Sequence, residues 1–382
     1  MYVKTLAVTV GNVLWTAEEM HQRLDRARRV VAGHGWTALL VTPGSDLRYF
    51  TGYEAMPLER LTCLVLPASG EATLIVPRLE RAAAEAAVLD LPLRLIDYPD
   101  GGDAARLLAD SLPETAGMVG VVDAMPAAHL LPVQRLLPAV RWEEAGRATG
   151  SLRAVKSPAE IAALADAGSA IDEVHRQMHQ WLRSGRSEAD VAADIAAAIR
   201  AAGHARTDFV IVASGPNAAS PHHSSGSRVI ERGDPVVVDI GGTMPSGYCS
   251  DCTRTYVAGP SAPGGFVDYY MVLRAAQQTA VAQVRPGVLA ETVDAAARSR
   301  IAQAGYGPMF LHRTGHGIGL ETHENPYIVA GNTDVLAEGM AFSVEPGIYQ
   351  AGSHGARIED IVVCTATGAR RLNTTETDLI YL

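Results

Sequence analysis

The sequence predicts a two-domain protein of the α+β class, with an α/β domain followed by a domain of sheets and paired helices. Residues 1–145 alternate short apolar strands with helices, which is the pattern of an α/β domain. Residues 146–382 place their predicted strands after two pairs of helices. Glycines recur at a fixed interval in these helix pairs, which indicates a two-fold internal repeat in the second domain. A chain of 382 residues is long enough to hold both domains.

The first domain begins with a predicted amphipathic helix. Thr16 and Glu19 form a capping box at its start, and Gly33 or Gly35 marks its end. A strand at 37–42 and a hairpin of CLVLP and ATLIVP follow, and then elements alternate: helix 78–88, strand 93–97, helix 103–112, strand 120–123, helix 127–137 and strand 140–144. Residues 146–156 are predicted to form the domain boundary.

The second domain opens with a complete helix-start signal. Ser157 is the N-cap, Pro158 takes the first helical position, and Glu160 completes a capping box. The predicted helices run over 157–182, over 187–203, from Phe266 to Pro286, and onward to about Gly305, and the β-rich segments are 209–215, 234–242, 247–258, 340–349 and 355–365.

The two helix pairs repeat each other. Gly287 follows Gly185 by 102 positions, and Gly305 follows Gly203 by the same interval. In both pairs the order is helix, short turn, helix and then strands, so we interpret the pattern as an internal duplication.

The composition excludes several classes of protein. The chain has 32 basic and 42 acidic residues and lacks a basic run, which argues against nucleic-acid binding. Four cysteines are too few for a disulfide framework in a chain of this length, and this predicts a reducing cytoplasm. The N-terminal segment lacks the features of a signal peptide, and no apolar run is long enough to span a bilayer.

The stretch HRTGHGIGLETHENP, residues 312–326, concentrates histidines and glycines. Three alternate glycines disfavour a helix, so we predict a strand edge or tight loop that directs imidazoles at a shared point. The glycines are expected to make room for substrate and ions. His312, His316 and His323 are the candidate functional groups of this stretch.

Four predicted β segments each carry one acid in a partly apolar context: Asp239, Asp251, Glu345 and Glu359. Each acid alone could lie at the surface or mark a strand end. A buried carboxylate, however, requires a partner or a metal ion. Four carboxylates and one imidazole suit two divalent ions that share bridging ligands.

Other potential motifs favour ordinary structural roles. Cys249 and Cys252 are interpreted as two packed thiols, since a strand would direct them to opposite faces. His175 and His179 lie four residues apart on a predicted helix, where a solvated face is favoured over a metal site. His223 is interpreted as a solvent or loop residue. No G-x-S-x-G motif supports a serine hydrolase.

Together these motifs resemble a known family. The segments DIGG (239–242), GYCSDCTRT (247–255), GHGIG (315–319), SVEPGIY (343–349) and RIED (357–360) are similar to the motifs of dinuclear metallopeptidases with the pita-bread fold. That family includes prolidase, aminopeptidase P and methionine aminopeptidase, with creatinase as a metal-free relative. Residues 1–145 resemble the creatinase-type N-terminal domain.

The resemblance implies a role for each candidate site residue. Asp239 is expected to chelate one ion, Asp251 and Glu359 to bridge both, and His316 and Glu345 to complete the second. A bridging water would be the nucleophile and Glu345 its general base. The implied substrate-facing and supporting residues are His222, His312, His323, Tyr349 and Arg357, with Arg357 expected on the same strand face as Glu359.

The implied reaction is hydrolysis of the Xaa-Pro bond in dipeptides or short peptides, with Mn²⁺ as first choice and Co²⁺ or Zn²⁺ as alternatives. Three other readings stay open: a Xaa-Pro aminopeptidase that acts on longer peptides, the same metal site acting on a small non-peptide molecule, and a binding module with a degenerate site. The last ranks lowest because all five ligand positions are filled. Tyr327 stands where several prolidases have an arginine that helps to hold the substrate carboxylate, which leaves strict dipeptide preference open. A cytoplasmic homodimer is also implied.

Overall fold

The structure is a computed structural model that describes residues 15–88, 91–113 and 117–382. The chain divides into two compact units, the first ending at Arg153 and the second beginning at Ala154. The sequence predicts a second domain from residue 146 and a boundary segment over 146–156, and the observed division lies inside that segment. The N-terminal segment used to assess a signal peptide lies outside the described residues.

The first unit is an α/β unit around one six-stranded sheet. Its helices are α1 (Ala17–Gly33), α2 (Ser45–Thr51), α3 (Arg81–Val88), α4 (Ala104–Asp110), α5 (Ala127–Leu136) and α6 (Gly146–Ala154), and its strands are β1 (Ala38–Val41), β2 (Cys63–Pro67), β3 (Ala72–Pro77), β4 (Leu93–Tyr98), β5 (Met118–Val121) and β6 (Arg141–Glu144). The strand order is β4-β3-β2-β1-β5-β6, and the predicted hairpin is the antiparallel pair β2–β3.

The second unit contains four helices and eleven strands among the described residues. The helices are α7 (Pro158–Arg176), α8 (Glu188–Ala201), α9 (Phe266–Gln283) and α10 (Ala290–Gln303). The strands are β7 (Arg206–Ser214), β8 (Pro235–Thr243), β9 (Cys249–Val257), β10 (Gly315–Gly317), β11 (Glu324–Ile328), β12 (Ala341–Val344), β13 (Gly347–Gln350), β14 (His354–Arg357), β15 (Asp360–Thr365), β16 (Gly368–Arg371) and β17 (Ile380–Tyr381).

These strands form three sheets. One has the order β17-β9-β8-β7, another has the order β11-β10-β12-β15-β16, and β13 pairs with β14 alone. The apolar core is likewise divided. One cluster joins α7 and α8 to β8 and β9, a second joins α9 and α10 to β12 and β15, and a small third cluster contains Ala213, Ala218 and Val237.

The predicted internal repeat is confirmed by matched local geometry. Gly185 and Gly287 have φ angles of 89° and 87°, a region that favours glycine, and each precedes the second helix of its pair. Their backbone N–H groups donate to Ile230 and Leu336, each over 2.9 Å. The two halves thus use the same turn before α8 and α10.

Several element boundaries differ from the predictions. The helix predicted to reach Leu182 ends at Arg176 and is followed by a 3₁₀ turn. The segments 340–349 and 355–365 are not single strands, because each breaks where the chain passes from one sheet to another. Helices α2 and α6 were not predicted. Burial of Leu47 and Phe50 fixes the seven-residue α2, which is too short for a clear sequence period.

No helix of the described residues is long and apolar enough to cross a membrane. The four cysteines are free and buried, which confirms that Cys249 and Cys252 are packed thiols.

Candidate metal centre

Strand alternation positions the two aspartates of the first half. Val236, Val238 and Ile240 on β8 pack into the helix-side core, so Asp239 points to the opposite face of the sheet. On β9, Cys252 packs into the same core and Asp251 faces away from it. The two strands pair antiparallel with Gly241 opposite Asp251, which brings both carboxylates to one region of the sheet.

Two glutamates of the second half lie at neighbouring strand ends. Glu345 directly follows β12, and Glu359 directly precedes β15. These strands pair antiparallel, and their register sets Val344 opposite Asp360. The two glutamates therefore emerge side by side, and β10 next to β12 supplies His316.

The glycines beside His316 have a different role from the one expected. A Cβ atom on Gly315 would lie 1.8 Å from the Ser343 carbonyl oxygen, and one on Gly317 would lie 2.2 Å from that of Asn325. Both glycines therefore admit neighbouring backbone. The expectation that they make room for substrate and ions is wrong at these two positions.

Nine of the ten predicted site residues line one cavity of about 680 Å³: Asp239, Asp251, His316, Glu345 and Glu359, together with His222, His312, His323 and Arg357. The tenth, Tyr349, is buried behind this wall. Its hydroxyl is 2.8 Å from His312 Nε2 and accepts a hydrogen bond of 2.8 Å from Arg357 Nη1. The structure thus brings together residues that are far apart in sequence.

The carboxylates perturb one another strongly. Burial, together with the charges of Glu359 and Asp239, raises the pKa of Asp251 well above its ordinary value. Burial and the charges of Glu345 and Asp239 do the same to the pKa of Glu359. Burial alone would also raise the pKa of Glu345, but the hydrogen bond with His316 and the charges of His316, His312 and Arg357 together outweigh burial and lower that pKa. Such a cluster of acids requires compensating positive charge.

The donor set fits divalent metal ions. Potential ligand atoms of Asp239, Asp251 and Glu359 lie within 4.8 Å of one another, as do those of His316, Glu345 and Glu359. The two groups share Glu359, as expected for a ligand common to two ions. Asp239 Oδ1 and Glu359 Oε1 are buried and have no hydrogen-bond partner among the described residues. Buried acceptors of this kind are suitable metal ligands.

The imidazole of His316 also faces the carboxylates. Its Nδ1 is 3.1 Å from the Gly317 carbonyl oxygen, to which it can donate. Its Nε2 then faces Glu345 Oε1 at 3.1 Å and Asp251 Oδ2 at 3.7 Å. A proton on Nε2 forms the hydrogen bond to Glu345, and a bound cation would take the place of that proton between the imidazole and the carboxylates.

His323 packs edge-on against His316, with ring centroids 4.1 Å apart. Partial burial in the cavity wall and the charges of His316 and Arg313 lower the pKa of His323 to about 4, which favours the neutral imidazole. Its ligand atom also lies within 4.8 Å of those of Asp251 and His316, so the geometry permits either a ligand or a substrate-facing role.

Arg357 bridges several parts of the site. Its Nη2 donates to Asp239 Oδ2 over 2.6 Å, its Nε donates to Thr253 Oγ1 over 3.1 Å, and its Nη1 donates to the Pro221 carbonyl. Arg357 ends β14 and Glu359 lies between strands, so strand alternation is not what brings them together. The predicted contact of Arg357 with the carboxylates is nevertheless present.

Two histidines lie in other surroundings than predicted. His175 is buried, with Nδ1 2.9 Å from the Tyr256 hydroxyl and Nε2 3.2 Å from the Cys252 carbonyl, and it is not on a solvated helix face. His223 Nε2 is 2.7 Å from Glu188 Oε2, which is fully buried. The prediction of a simple solvent or loop role for His223 was therefore incomplete.

Some cavity residues were not predicted, among them Asp208 and Arg313. Glu188, outside the cavity, was also missed. Its carboxylate accepts hydrogen bonds from Ser214, Asn217 and Gly226 as well as contacting His223, and so it fixes the loop that carries His222. Only Arg313 had a sequence signal, its position inside the stretch 312–326.

Residues 162–366 match the model of metallopeptidase family M24, and residues 23–155 match that of the creatinase/prolidase N-terminal domain. The chain belongs to metallopeptidase family M24. These matches confirm the predicted family, the two-part fold and the prediction of a metallopeptidase.

This M24 metallopeptidase is similar to dipeptidases over nearly its full length. It is 49% identical over 377 residues to the probable dipeptidase PepE of Mycobacterium tuberculosis, covering 98% of this chain and 99% of the relative. It is 32% identical over 366 residues to the Xaa-Pro dipeptidase of Lactobacillus delbrueckii subsp. lactis, covering 94% and 98%. The crystal structure of dipeptidase PepE from Mycobacterium ulcerans matches with a TM-score of 0.91 and 50% identity, covering 96% and 99%.

Proposed function

We propose that this metallopeptidase hydrolyses the Xaa-Pro bond of dipeptides, using two divalent ions held by Asp239, Asp251, His316, Glu345 and Glu359. The main observation in support is that four carboxylates and an imidazole line one cavity. One buried oxygen of Asp239 and one of Glu359 have no hydrogen-bond partner among the described residues. A relative that is 32% identical is named Xaa-Pro dipeptidase, which supports the choice of substrate.

Two divalent ions, when bound, would supply Lewis acidity and an activated water nucleophile. In this proposal Glu345 accepts the proton of the nucleophile and transfers it to the proline nitrogen. That nitrogen carries no hydrogen in the substrate, so the proton must be delivered for it to leave as an amine. His323 and His222 donate hydrogen bonds to the substrate carbonyl region.

The supporting residues hold this arrangement in place. Arg357 orients Asp239 through the bond to Oδ2, and Tyr349 links Arg357 to His312. Burial lowers the pKa of His312, which keeps this imidazole neutral beside the substrate. Rigid support of this kind maintains catalytic geometry.

A length series tests the proposal. The wild-type protein loaded with Mn²⁺ should cleave Ala-Pro, and it should cleave Ala-Pro-Gly much more slowly. The variant Asp239→Ala should have neither turnover nor bound metal. Faster cleavage of longer peptides would favour an aminopeptidase instead. Full turnover by Asp239→Ala would contradict the dinuclear site, and turnover of small non-peptide amides without Ala-Pro would favour the non-peptide alternative.

We further propose Mn²⁺ as the native metal, a cytoplasmic location and a homodimer. Four free buried thiols are compatible with a reducing compartment. The ligand set does not discriminate sharply between Mn²⁺, Co²⁺ and Zn²⁺. Metal analysis of protein purified without added metal, together with sedimentation of the full chain, tests the metal and the dimer.

A further inference from the structure

A buried ion pair lies close to the loop that carries His323. Lys156 Nζ is 2.7 Å from Glu324 Oε1, and the two side chains are 1% and 2% exposed. Neither Lys156 nor Glu324 is among the described residues that line the cavity of the candidate metal centre. An apolar pair at a buried position is often as stable as an ion pair, so stability alone does not explain why these two charges are present.

Glu324 fixes the chain directly after His323. It is the first residue of β11 and pairs with Gly317 of β10, which is next to His316. His323 precedes the strand and lines the cavity, whereas the Glu324 carboxylate is buried. The position of the His323 imidazole therefore depends on how firmly the first residue of β11 is held.

The loop at 318–323 packs directly against the Glu324 carboxylate. A Cβ atom on Gly319 would lie 2.5 Å from Glu324 Oε1, the oxygen that contacts Lys156. The Gly319 carbonyl accepts a hydrogen bond of 2.9 Å from the Cys249 N–H on β9. The loop is thus held by contacts with β9 and with the ion pair, and His323 lies at its end.

Lys156 extends from backbone that is itself fixed. Its N–H donates to the Gly339 carbonyl over 3.0 Å, and a Cβ atom on Gly339 would lie 2.9 Å from the Lys156 carbonyl oxygen. From Gly339 the chain continues through β12 to Glu345, the proposed general base. The ion pair therefore ties the segment that leads to Glu345 to the segment that carries His323.

We propose that Lys156 and Glu324 are a positioning pair that fixes the His323 imidazole relative to Glu345 and the substrate. This inference rests on the proposed function, in which His323 donates a hydrogen bond to the substrate carbonyl region. A donor stabilises developing charge when it is held in place before the reaction, and a misplacement of about 1 Å can cost about a hundredfold in rate. An ion pair of defined geometry supplies this constraint, whereas apolar contacts are non-directional.

The test is a double-mutant cycle on the Mn²⁺-loaded protein with Ala-Pro as the substrate. Lys156→Met should lower kcat by about ten- to hundredfold and change KM by less than about twofold, because neither member of the pair lines the cavity. In the His323→Ala background the same change should lower kcat by less than about twofold, because no imidazole is left to position. Arg254→Met is the matched control. It breaks a different buried ion pair, so any loss of kcat that it causes should be the same in both backgrounds.

Lys156→Met removes the ammonium beside a buried carboxylate, and the loss of one partner from a buried pair is strongly destabilising. The double variant Lys156→Met/Glu324→Leu removes both charges, so it should melt close to the wild-type temperature and still have a reduced kcat. Wild-type kcat in this double variant would overturn the inference. Equal losses of kcat from Lys156→Met in the wild-type and His323→Ala backgrounds would also overturn it.

Failure of the wild type to cleave Ala-Pro would instead reject the proposed function. A crystal structure of Lys156→Met/Glu324→Leu separates the two cases, because it needs no turnover. In the wild type the ring centroids of His323 and His316 are 4.1 Å apart. Displacement of the His323 ring by about 1 Å or more in the double variant supports the positioning role, and an unmoved ring refutes it.

Discussion

The first half of the second unit, α7 to β9, and the second half, α9 to β15, place different side chains at corresponding positions. His175 lies ten residues before Gly185, and Gln277 lies ten residues before Gly287. Both are buried, but His175 contacts the Cys252 carbonyl, whereas Gln277 donates to the Asp360 carboxylate over 2.9 Å.

The second helix of each pair differs in the same manner. α8 begins with Glu188, which holds a loop through several hydrogen bonds, and α10 begins with Ala290. The candidate ligands, by contrast, correspond. Asp239 and Glu345 each lie six residues after a positive-φ glycine, Gly233 and Gly339. The comparison indicates that the turns and the carboxylates are shared by the halves, while the buried polar contacts behind them are specific to each.

The largest effect is expected from equivalent changes at the last candidate ligand of each half. Asp251→Asn and Glu359→Gln should each reduce turnover by roughly a hundredfold or more. Neither should lower the melting temperature of the metal-free protein, because each removes charge from a repulsive cluster. Both should abolish the stabilisation that added Mn²⁺ gives to the wild type.

Asp208→Asn is the matched control for these two variants, since Asp208 lines the same cavity but is in none of the candidate ligand groups. Thermal melting with and without Mn²⁺ measures the difference. If Asp251→Asn kept its metal-induced stabilisation and Glu359→Gln lost it, the two halves would not contribute equally to the site.

The second effect concerns the ion pair that joins the halves. Arg254 on β9 donates to Asp360 Oδ1 over 2.6 Å, and both side chains are buried. Arg254→Met should lower the free energy of unfolding by about 3–5 kcal/mol, because it removes a principal charge partner of the buried Asp360. Urea unfolding measures this loss. The double variant with Asp360→Leu should recover part of it, and no recovery would argue that the charge pair is not the cause.

The third effect tests the difference between Glu188 and Ala290. Glu188→Ala should destabilise the protein by about 2–3 kcal/mol and raise KM, because several donors around the His222 loop lose a charged acceptor. Hydrogen exchange in residues 215–226 should increase. Glu291→Ala in the second half removes a partly buried carboxylate that accepts one hydrogen bond, from the Gly331 N–H, and should change stability by less than about 1 kcal/mol. Equal effects of both variants would remove the distinction between the halves.

The smallest effect is a pH dependence carried by His175. Burial lowers its pKa from 6.5 to about 3 in the folded protein. Between these values the unfolded chain binds a proton that the folded chain does not, so stability falls as the pH falls. His175→Gln introduces the glutamine that the second half has at the corresponding position. Between neutral pH and pH 5, this variant should lose about 2 kcal/mol less of its free energy of unfolding than the wild type does. Urea unfolding at neutral and acidic pH measures it, and an unchanged acid dependence would exclude His175 as its source.

The sequence predicted individual helices and strands best where a pattern within a short segment determines them. The β-rich segment predicted at 234–242 is the strand β8, and the capping box at Ser157 and Glu160 is present as predicted. The ligand set depended on a resemblance between motifs, because no local rule brings His316 next to Glu359.

The missed features depend on contacts between segments distant in sequence. Glu188 is an ordinary first-turn acid by sequence, and its hydrogen-bond partners lie 26 to 38 positions away. His175 has the spacing of a surface residue, but α7 packs against β9 and buries it. The contact of Arg313 with the ring of Tyr327 likewise depends on the pairing of β10 with β11.

The short strand β17 has a consequence for handling the protein. It pairs in parallel with Tyr256 and Val257 of β9, and Leu382 N–H donates to the Val257 carbonyl over 2.9 Å. β17 thereby covers one edge of the strand that carries Asp251. Deletion of residues 379–382 would leave that edge unpaired and able to recruit a strand from another molecule. Such a truncated protein is expected to aggregate, so an affinity tag that is removed by cleavage within this segment should be avoided.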